Sequence, residues 1–511
     1  MSRLAPAVLL VCLLVAVRAH ASPLVELTGG IGDQAGFNGR AGGSGAASTY
    51  FNPALLPRAK AGFQTGFFIL NDLVSISLDG RGAVDVPRSY RGATHSDGRV
   101  FEQTSLPTAW LREGCAAPEC TPPLPARPRQ SAGSSGNVRA YQALGLVAPL
   151  IDERLVLGIY GVVPLSTFTT ASSFFVDERE QFFTNSLHAE LYSDRLTATS
   201  FAFGLGSQLL PRLSLGASFT LGLRTSAAAS TFVANPDDLN NTLVLSTDVG
   251  VETALAPHFG LNYEIVDHLQ LSATVHSPQR FDIETGITAF LPNGNKQSAA
   301  RNAVHDYMPW QIGLGVSCDL LPSEPSSDGK PPPNRHTLSL LGSVVLGLWS
   351  GYVDRQGDRP TGRYAWSDTP SVVLGARYGY GRFRSLLDVL YAPSPVPLQT
   401  GRTNYVDNDR LSTTAGVDYT FELFGVSWRA GVQGQFHALF DRYQRKLDPL
   451  AAGAQGTGAL VRDEFPDDAV DTRGQPIAEA QGVQTNNPGA PGFGSRGMLI
   501  GGGLTLALLF P

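Results

Sequence analysis

Residues able to do chemistry are scattered through this 511-residue chain, so their spacing decides what they can do. Nine histidines and four cysteines raise metal ligation and nucleophilic catalysis. No H-E-x-x-H occurs, and no Cys/His set falls at zinc spacing. Gly42-Gly43-Ser44-Gly45 sets its serine at the wrong distance from its glycines for the G-x-S-x-G elbow of a hydrolase. These patterns argue against an enzyme and call for no metal and no cofactor. His258, His276 and His437 each fall on the polar face of a strand-like run. They read as ligand or metal contacts, or as members of an internal hydrogen-bond network.

Arg377, Arg382, Arg384 and Asp388 lie on polar faces of adjacent strand-like runs. A guanidinium grips a carboxylate through two parallel hydrogen bonds. Arg377 or Arg384 could hold the head group of an acidic ligand, or pair with an internal Asp or an N-terminal residue. Asp409 and Arg410 are a second candidate pair, at a rim. Phe174, Phe175, Phe182 and Phe183 flank the charged run Asp177 to Glu180. They form a candidate apolar capture surface, each buried CH2 being worth about 0.8 kcal/mol, or the packed face of a loop helix. Cys115 and Cys120 sit in the Pro-rich loop CAAPEC, as a small local disulfide or as two free thiols. Cys318, in a strand-like run, reads as a small apolar filler.

The elements that must position these residues are strands. From Ala61 onward the dominant period is two. Val426, Trp428, Ala430, Val432, Phe436, Ala438 and Phe440 share one face, while Ser427, Arg429, Gln433, Gln435 and His437 share the other. Such runs exceed an ordinary soluble strand and suit the ~9–11 residues of a membrane strand. Fourteen are expected, at 61–79, 138–149, 154–168, 196–210, 213–231, 253–264, 269–283, 307–320, 335–349, 370–380, 382–392, 411–423, 425–443 and 495–510. Short connections alternate with long ones, notably 80–137 and 444–494, except that 321–334 is long where a short turn is expected. The pattern predicts an all-β, 14-stranded antiparallel transmembrane β-barrel. A soluble β-sandwich is the competing fold, and it leaves this alternation unexplained. Pro164, inside the expected strand 154–168, removes a ladder donor and is a candidate kink.

Composition agrees. Charged residues are 16% of the chain, below the ~25% usual in soluble domains. Residues 1–21 read as a signal peptide: Arg3, an apolar run from Pro6 to Val17, and Ala19-His20-Ala21 before Ser22. Arg3 and Arg18 leave with it, which takes the formal charge from −6 to −8 and points to no nucleic-acid partner. Residues 22–58 then form a small-residue segment ahead of the barrel, 59–511. The segment closes in Phe51-Asn52-Pro53-Ala54-Leu55. Pro53 fixes one φ and biases Asn52 away from the α region, which makes a pre-set corner. The segment reads as a hatch that must fit inside something, or as a flexible tail.

Three stretches resemble the outer-membrane long-chain fatty acid transporter family, which also includes toluene and other aromatic hydrocarbon channels. They are Gly39-Arg40-Ala41-Gly42-Gly43-Ser44-Gly45 through Asn52-Pro53-Ala54, then Met308-Pro309-Trp310-Gln311-Ile312-Gly313-Leu314-Gly315, then Ser394-Pro395-Val396-Pro397 with Asp407-Asn408-Asp409-Arg410. The resemblance implies a monomeric barrel of the bacterial outer membrane, an N-terminal hatch plugging the lumen, and passive uptake of a hydrophobic small molecule. A long-chain fatty acid and an aromatic hydrocarbon are both open as cargo. The surroundings would be outer-membrane lipid and lipopolysaccharide. Loops 80–137 and 444–494 have no counterpart in the family pattern, and they keep open a structural or surface-interaction barrel.

Overall fold

The computed structural model describes residues 23–32, 34–78, 131–133, 137–151, 154–165, 188–189, 196, 198–233, 243–290, 296–321, 336–353, 357, 359–362, 365–397, 405–445 and 492–510. Fourteen long strands close on themselves. They are β1 Gly62–Leu78, β2 Asn137–Ile151, β3 Leu155–Pro164, β4 Thr199–Leu210, β5 Leu213–Val233, β6 Leu243–Val266 and β7 Leu269–His276. The rest are β8 Gln311–Leu321, β9 His336–Gly347, β10 Thr369–Tyr380, β11 Phe383–Ala392, β12 Arg410–Leu423, β13 Val426–Arg445 and β14 Gly492–Leu509. Each pairs antiparallel with the next, and β14 returns to β1 along Gly62↔Leu509 to Leu78↔Phe493. A closed ring leaves no strand edge unpaired, the condition for a sheet surrounded by lipid.

Tight connections at one end show why the ring turns where it does. Phe424 and Gly425 both take positive φ (53° and 74°), the conformation of a two-residue hairpin turn. Gly381 at 56° and His268 at 75° serve the neighbouring turns. This end is called the turn end, and the opposite one the loop end.

The two faces of the wall differ in chemistry. Leu374 and Leu504 are each 65% exposed on the outside, with Leu314, Val432, Phe259 and Phe219 around the same ring. Inward, β5 to β8 present buried Ser218, Thr220, His258, Asn262, Thr274 and Gln311, and β11 to β13 present Asp388, Thr414, Asp418, Gln433 and Gln435. The inner face of β1 to β3 is instead apolar, with Phe68, Leu70, Tyr141, Val147, Val156 and Tyr160 in one buried cluster. Both faces of β1 are therefore largely apolar, and period two is weakest there.

Several boundaries differ from expectation. β6 begins at Leu243 rather than near 253, because its ladder with β5 runs unbroken from Leu213↔Tyr263 to Val233↔Leu243. Asp248 and Gly250 lower local strand propensity, and cross-strand pairing overrides it. β7 ends at His276 rather than 283, just before Ser277-Pro278, and Pro278 has no N–H for the ladder. Where a loop was expected at 284–306, the strands Gln279–Phe290 and Lys296–Met308 form a hairpin. Pro309-Trp310 separates it from β8, which starts at Gln311 rather than 307.

Candidate functional site

The N-terminal segment builds the site. It contains α1 Pro23–Thr28, α2 Ser48–Phe51 and a 3-10 helix Pro53–Arg58, joined by glycine-rich turns. Its polar groups reach inward-facing side chains around the ring. Ile31 N donates to Tyr160 of β3, Ser272 of β7 donates to Arg40 O, and Ser343 of β9 donates to Asn38 Oδ1. Arg377 of β10, Asp388 of β11, Gln34 to Asp418 of β12, and Gln433 of β13 continue the circuit. A segment that touches a closed wall on so many sides lies inside it.

At the corner, Asn52 is extended (φ −157°, ψ 93°), as a residue before proline prefers. Its Oδ1 accepts from Ala54 N at 3.2 Å and its Nδ2 donates to Arg40 O at 3.0 Å. One side chain thus caps the 3-10 helix and ties the turn Gly39–Gly45 to it. Beneath the corner, Gly206, Gly216 and Gly260 of β4, β5 and β6 stand side by side in register. A Cβ on Gly216 would sit 2.2 Å from Pro53 C, and one on Gly260 would sit 2.1 Å from Asn52 Oδ1. The wall is glycine where the corner leans on it.

The segment's charged core is Glu26–Arg40. Arg40 forks onto both Glu26 oxygens at 2.6 and 3.1 Å, and its Nη2 also donates to Gln311 Oε1 at 2.7 Å. Tyr50 OH donates to Glu26 Oε1 at 2.9 Å. His276 bridges the set to the corner, with Nδ1 3.3 Å from Arg40 and Nε2 3.1 Å from Phe51 O. Burial would raise the Glu26 carboxyl, but Arg40 and His276 outweigh it and hold it down at about 2. His258 packs against His276 with ring centroids 4.1 Å apart and lies 2.6 Å from Thr220 Oγ1. His437 bonds Ser412 Oγ at 2.8 Å. All three histidines are inside the lumen in hydrogen-bond networks, and no metal-ligand group forms among the described residues.

Arg377 and Arg384 face inward. Arg377 forks onto Asp388 at 2.6 and 3.0 Å and donates to the carbonyls of Gln34 and Ala35 at 2.6 and 2.9 Å. Asp388 also accepts from Phe37 N at 2.8 Å and from Asn38 Nδ2 at 3.1 Å. Arg384 donates to Asp418 at 2.8 Å and reaches Ser44 Oγ at 3.4 Å. Both arginines hold the N-terminal segment in this structure. Asp409 accepts from Ser394 N at 2.8 Å.

Above the segment lies a cavity of about 110 Å3, lined by Leu27, Phe37, Phe51, Val345, Val373 and Leu390, with Glu26, Arg40, Gln311 and Arg410 at its polar border. Trp349 and Met308 join it to a buried aromatic cluster at the loop end. There Tyr352 stacks on Trp366 at 3.7 Å and Trp349 on Trp366 at 5.4 Å. This cluster joins Tyr307 of the 279–308 hairpin to Tyr405 of the segment before β12. The sequence does not show it, because its members come from separate stretches of the chain with no shared period. Pro164 is the last residue of β3, and pairing toward β4 stops at Val162↔Ser200, so it closes the strand rather than standing inside it. Cys318 is free and half-buried. The leader 1–21, Cys115, Cys120, Phe174, Phe175, Phe182 and Phe183 lie outside the described residues.

No protein-family model matches the sequence, and no curated protein matches it. Solved structures that are similar include a Pseudomonas aeruginosa FadL homologue, at 14% identity and TM-score 0.49, covering 91% of this chain and 95% of that one. The Pseudomonas putida toluene transporter TodX is similar at 12% identity and TM-score 0.43, covering 97% and 99%. The Ralstonia pickettii toluene transporter TbuX follows at 13% and 0.41, covering 97% and 100%. The barrel itself rests on the unbroken strand pairing around the ring.

Proposed function

We propose that the protein sits in the bacterial outer membrane as a monomeric barrel and takes up long-chain fatty acids or similar hydrophobic compounds passively through its occupied lumen. In this reading residues 22–58 are the hatch and 59–511 the barrel with its long outside loops. Three features support it. The exposed belt of large apolar side chains suits lipid, since a soluble monomer rarely exposes so continuous an apolar surface. The segment is tied to the wall by hydrogen bonds and ion pairs, which can be exchanged. The observation that carries the reading is the apolar cavity between the segment and the loop-end aromatic cluster. Its volume of about 110 Å3 is below the ~150 Å3 that admits benzene in an engineered apolar cavity. Any cargo must therefore displace part of the segment or of the aromatic cluster on its way in.

An aromatic hydrocarbon is the second reading, favoured by Phe37, Phe51 and Trp349 around the cavity. The test is uptake of radiolabelled oleate and toluene by cells making the protein. Val373→Arg should abolish protein-dependent uptake of both by placing a charge in the cavity, and Val373→Trp should reduce it by filling. Cells with V373R that accumulate either probe at the wild-type rate would overturn the reading. Which probe depends on the protein at all decides between the two cargoes.

A further inference from the structure

The cavity above the segment has apolar walls and a polar border, and an ion pair stands on that border. Of the six residues of α1, Glu26 alone is not buried, and it lines the cavity together with Arg40 and Gln311. Arg40 is 5% exposed and grips Glu26 through a two-pronged fork at 2.6 and 3.1 Å. Leu27, Phe51 and Val373 line the same space. An acidic amphiphile has the matching chemistry, with a carboxylate for the guanidinium fork and a tail for the apolar walls.

The two partners are held differently. Arg40 is anchored from several sides: its Nη2 donates to Gln311 Oε1 at 2.7 Å and lies 3.3 Å from His276 Nδ1. Its carbonyl accepts from Ser272 of β7 at 2.8 Å and from Asn52 at 3.0 Å. Glu26 has Arg40, the Tyr50 hydroxyl at 2.9 Å and His276 at 3.7 Å, and it rides on a helix of six residues. So short a helix is not stable by itself and keeps its place through its contacts. The carboxylate can therefore leave while the cation stays. We propose that Glu26 is an internal stand-in for the head group of the cargo, and that a carboxylate-bearing amphiphile in the cavity takes its place on Arg40 and so releases α1. The inference rests on the uptake reading and narrows its cargo to acidic amphiphiles.

The exchange conserves charge. One carboxylate replaces another, so the buried Arg40 guanidinium is never stranded. The released Glu26 stays at a border that also carries Ser371 and Arg410. Withdrawal of α1 takes Leu27 out of the wall and enlarges a cavity that, at about 110 Å3, is too small for a long acyl chain. A neutral hydrocarbon offers Arg40 nothing and leaves the pair closed.

The test is equilibrium binding of radiolabelled laurate and dodecanol to the full-length protein in non-ionic detergent, with binding to protein-free micelles subtracted. Glu26→Gln removes the charge of the internal competitor and keeps its shape. It should tighten laurate by about fivefold or more, because a charge-assisted bond to the competitor is lost, and should leave dodecanol unchanged. The double variant Glu26→Gln with Arg40→Gln leaves neither charge buried alone, and there laurate should lose its advantage over dodecanol. Laurate should also speed hydrogen exchange at Gly29 of the wild type, whose amide bonds Val25 O at 2.9 Å behind α1. Laurate affinity that E26Q leaves unchanged, an equal gain for both probes, or Gly29 exchange unmoved by bound laurate would overturn the exchange. In each of those cases saturable dodecanol binding leaves the uptake reading standing. Saturable binding of neither probe overturns the uptake reading, and the exchange falls with it.

Discussion

At the scale of the residue, the lumen is governed by carboxylates that carry several donors at once. Asp388 is fully buried and is held by Arg377 and by Phe37 and Asn38 of the segment. Asp388→Ala strands the Arg377 guanidinium inside the wall, and breaking such a buried pair costs about 3–5 kcal/mol. The cost falls on docking of the segment, so backbone hydrogen exchange at residues 34–38 should accelerate sharply while exchange in β1 to β4 stays slow. Equal exchange in wild type and variant would show that Asp388 does not anchor the segment. Glu26 and Asp407 make opposite pH statements. The Glu26 carboxyl is held at about 2, against 4.5 when free, so its contribution is fully present above 4.5 and drains away as pH falls through about 2. Asp407 is pushed up to about 6 by burial, against the Ser394 contact and the charges of Arg442 and Arg410. Its contribution is fully present below 3.8 and is lost as pH rises through about 6. Protection of residues 405–408 from exchange should therefore fall between pH 4 and pH 7, and Asp407→Asn should flatten that profile.

At the scale of the element, the three glycines under the corner are the clearest device. Gly216↔Gly260 and Gly206↔Gly216 are direct cross-strand neighbours, and any side chain there collides with Pro53, Ala54 or Asn52. Gly216→Leu should leave the barrel folded and heat-modifiable on gels but expel the corner, so that a protease cuts near residues 52–58 in the variant and not in the wild type. Resistance equal to wild type would mean the corner tolerates a wedge. These glycines explain what the sequence hides. All fourteen wall strands were legible, most clearly where one face meets lipid and the other a polar lumen and least in β1, whose two faces are both largely apolar. The hairpin 279–308 was not, since its period cannot be told from that of a long loop without its partner. The Asn52-Pro53 corner and the inward arginines were legible as residue types with two readings each, and contact with the wall chooses between them. A glycine on a polar face carries no side chain to signal that it is a seat, so the cradle appears only once three strands are in register.

At the scale of the whole molecule, the question is what the closed wall would do without its contents. Eight strands are about the number whose own side chains fill a barrel, and fourteen enclose far more space. Here β1 to β3 turn Phe68, Tyr141 and Tyr160 inward, and in an empty lumen those rings would face water. Instead they pack on Leu24, Leu27, Ile31, Tyr50 and Leu56 of the segment, so wall and segment share one apolar core. On the other side, polar residues of β7 to β13 bond the segment's backbone and the Asn38 side chain. The wall itself is held by a ladder that passes from β14 to β1 without using any residue before Gly62. Deleting residues 23–50 should therefore leave a folded barrel with a lumen open to ions. In planar bilayers the deletion should show large, steady conductance, whereas the intact protein stays mostly closed. Selectivity among apolar cargoes should vanish in the same variant, because the Leu27, Phe37 and Arg40 side of the cavity leaves with the segment. Equal conductance of the two proteins would mean that the lumen is sealed by something other than this segment, and the uptake reading would lose its gate.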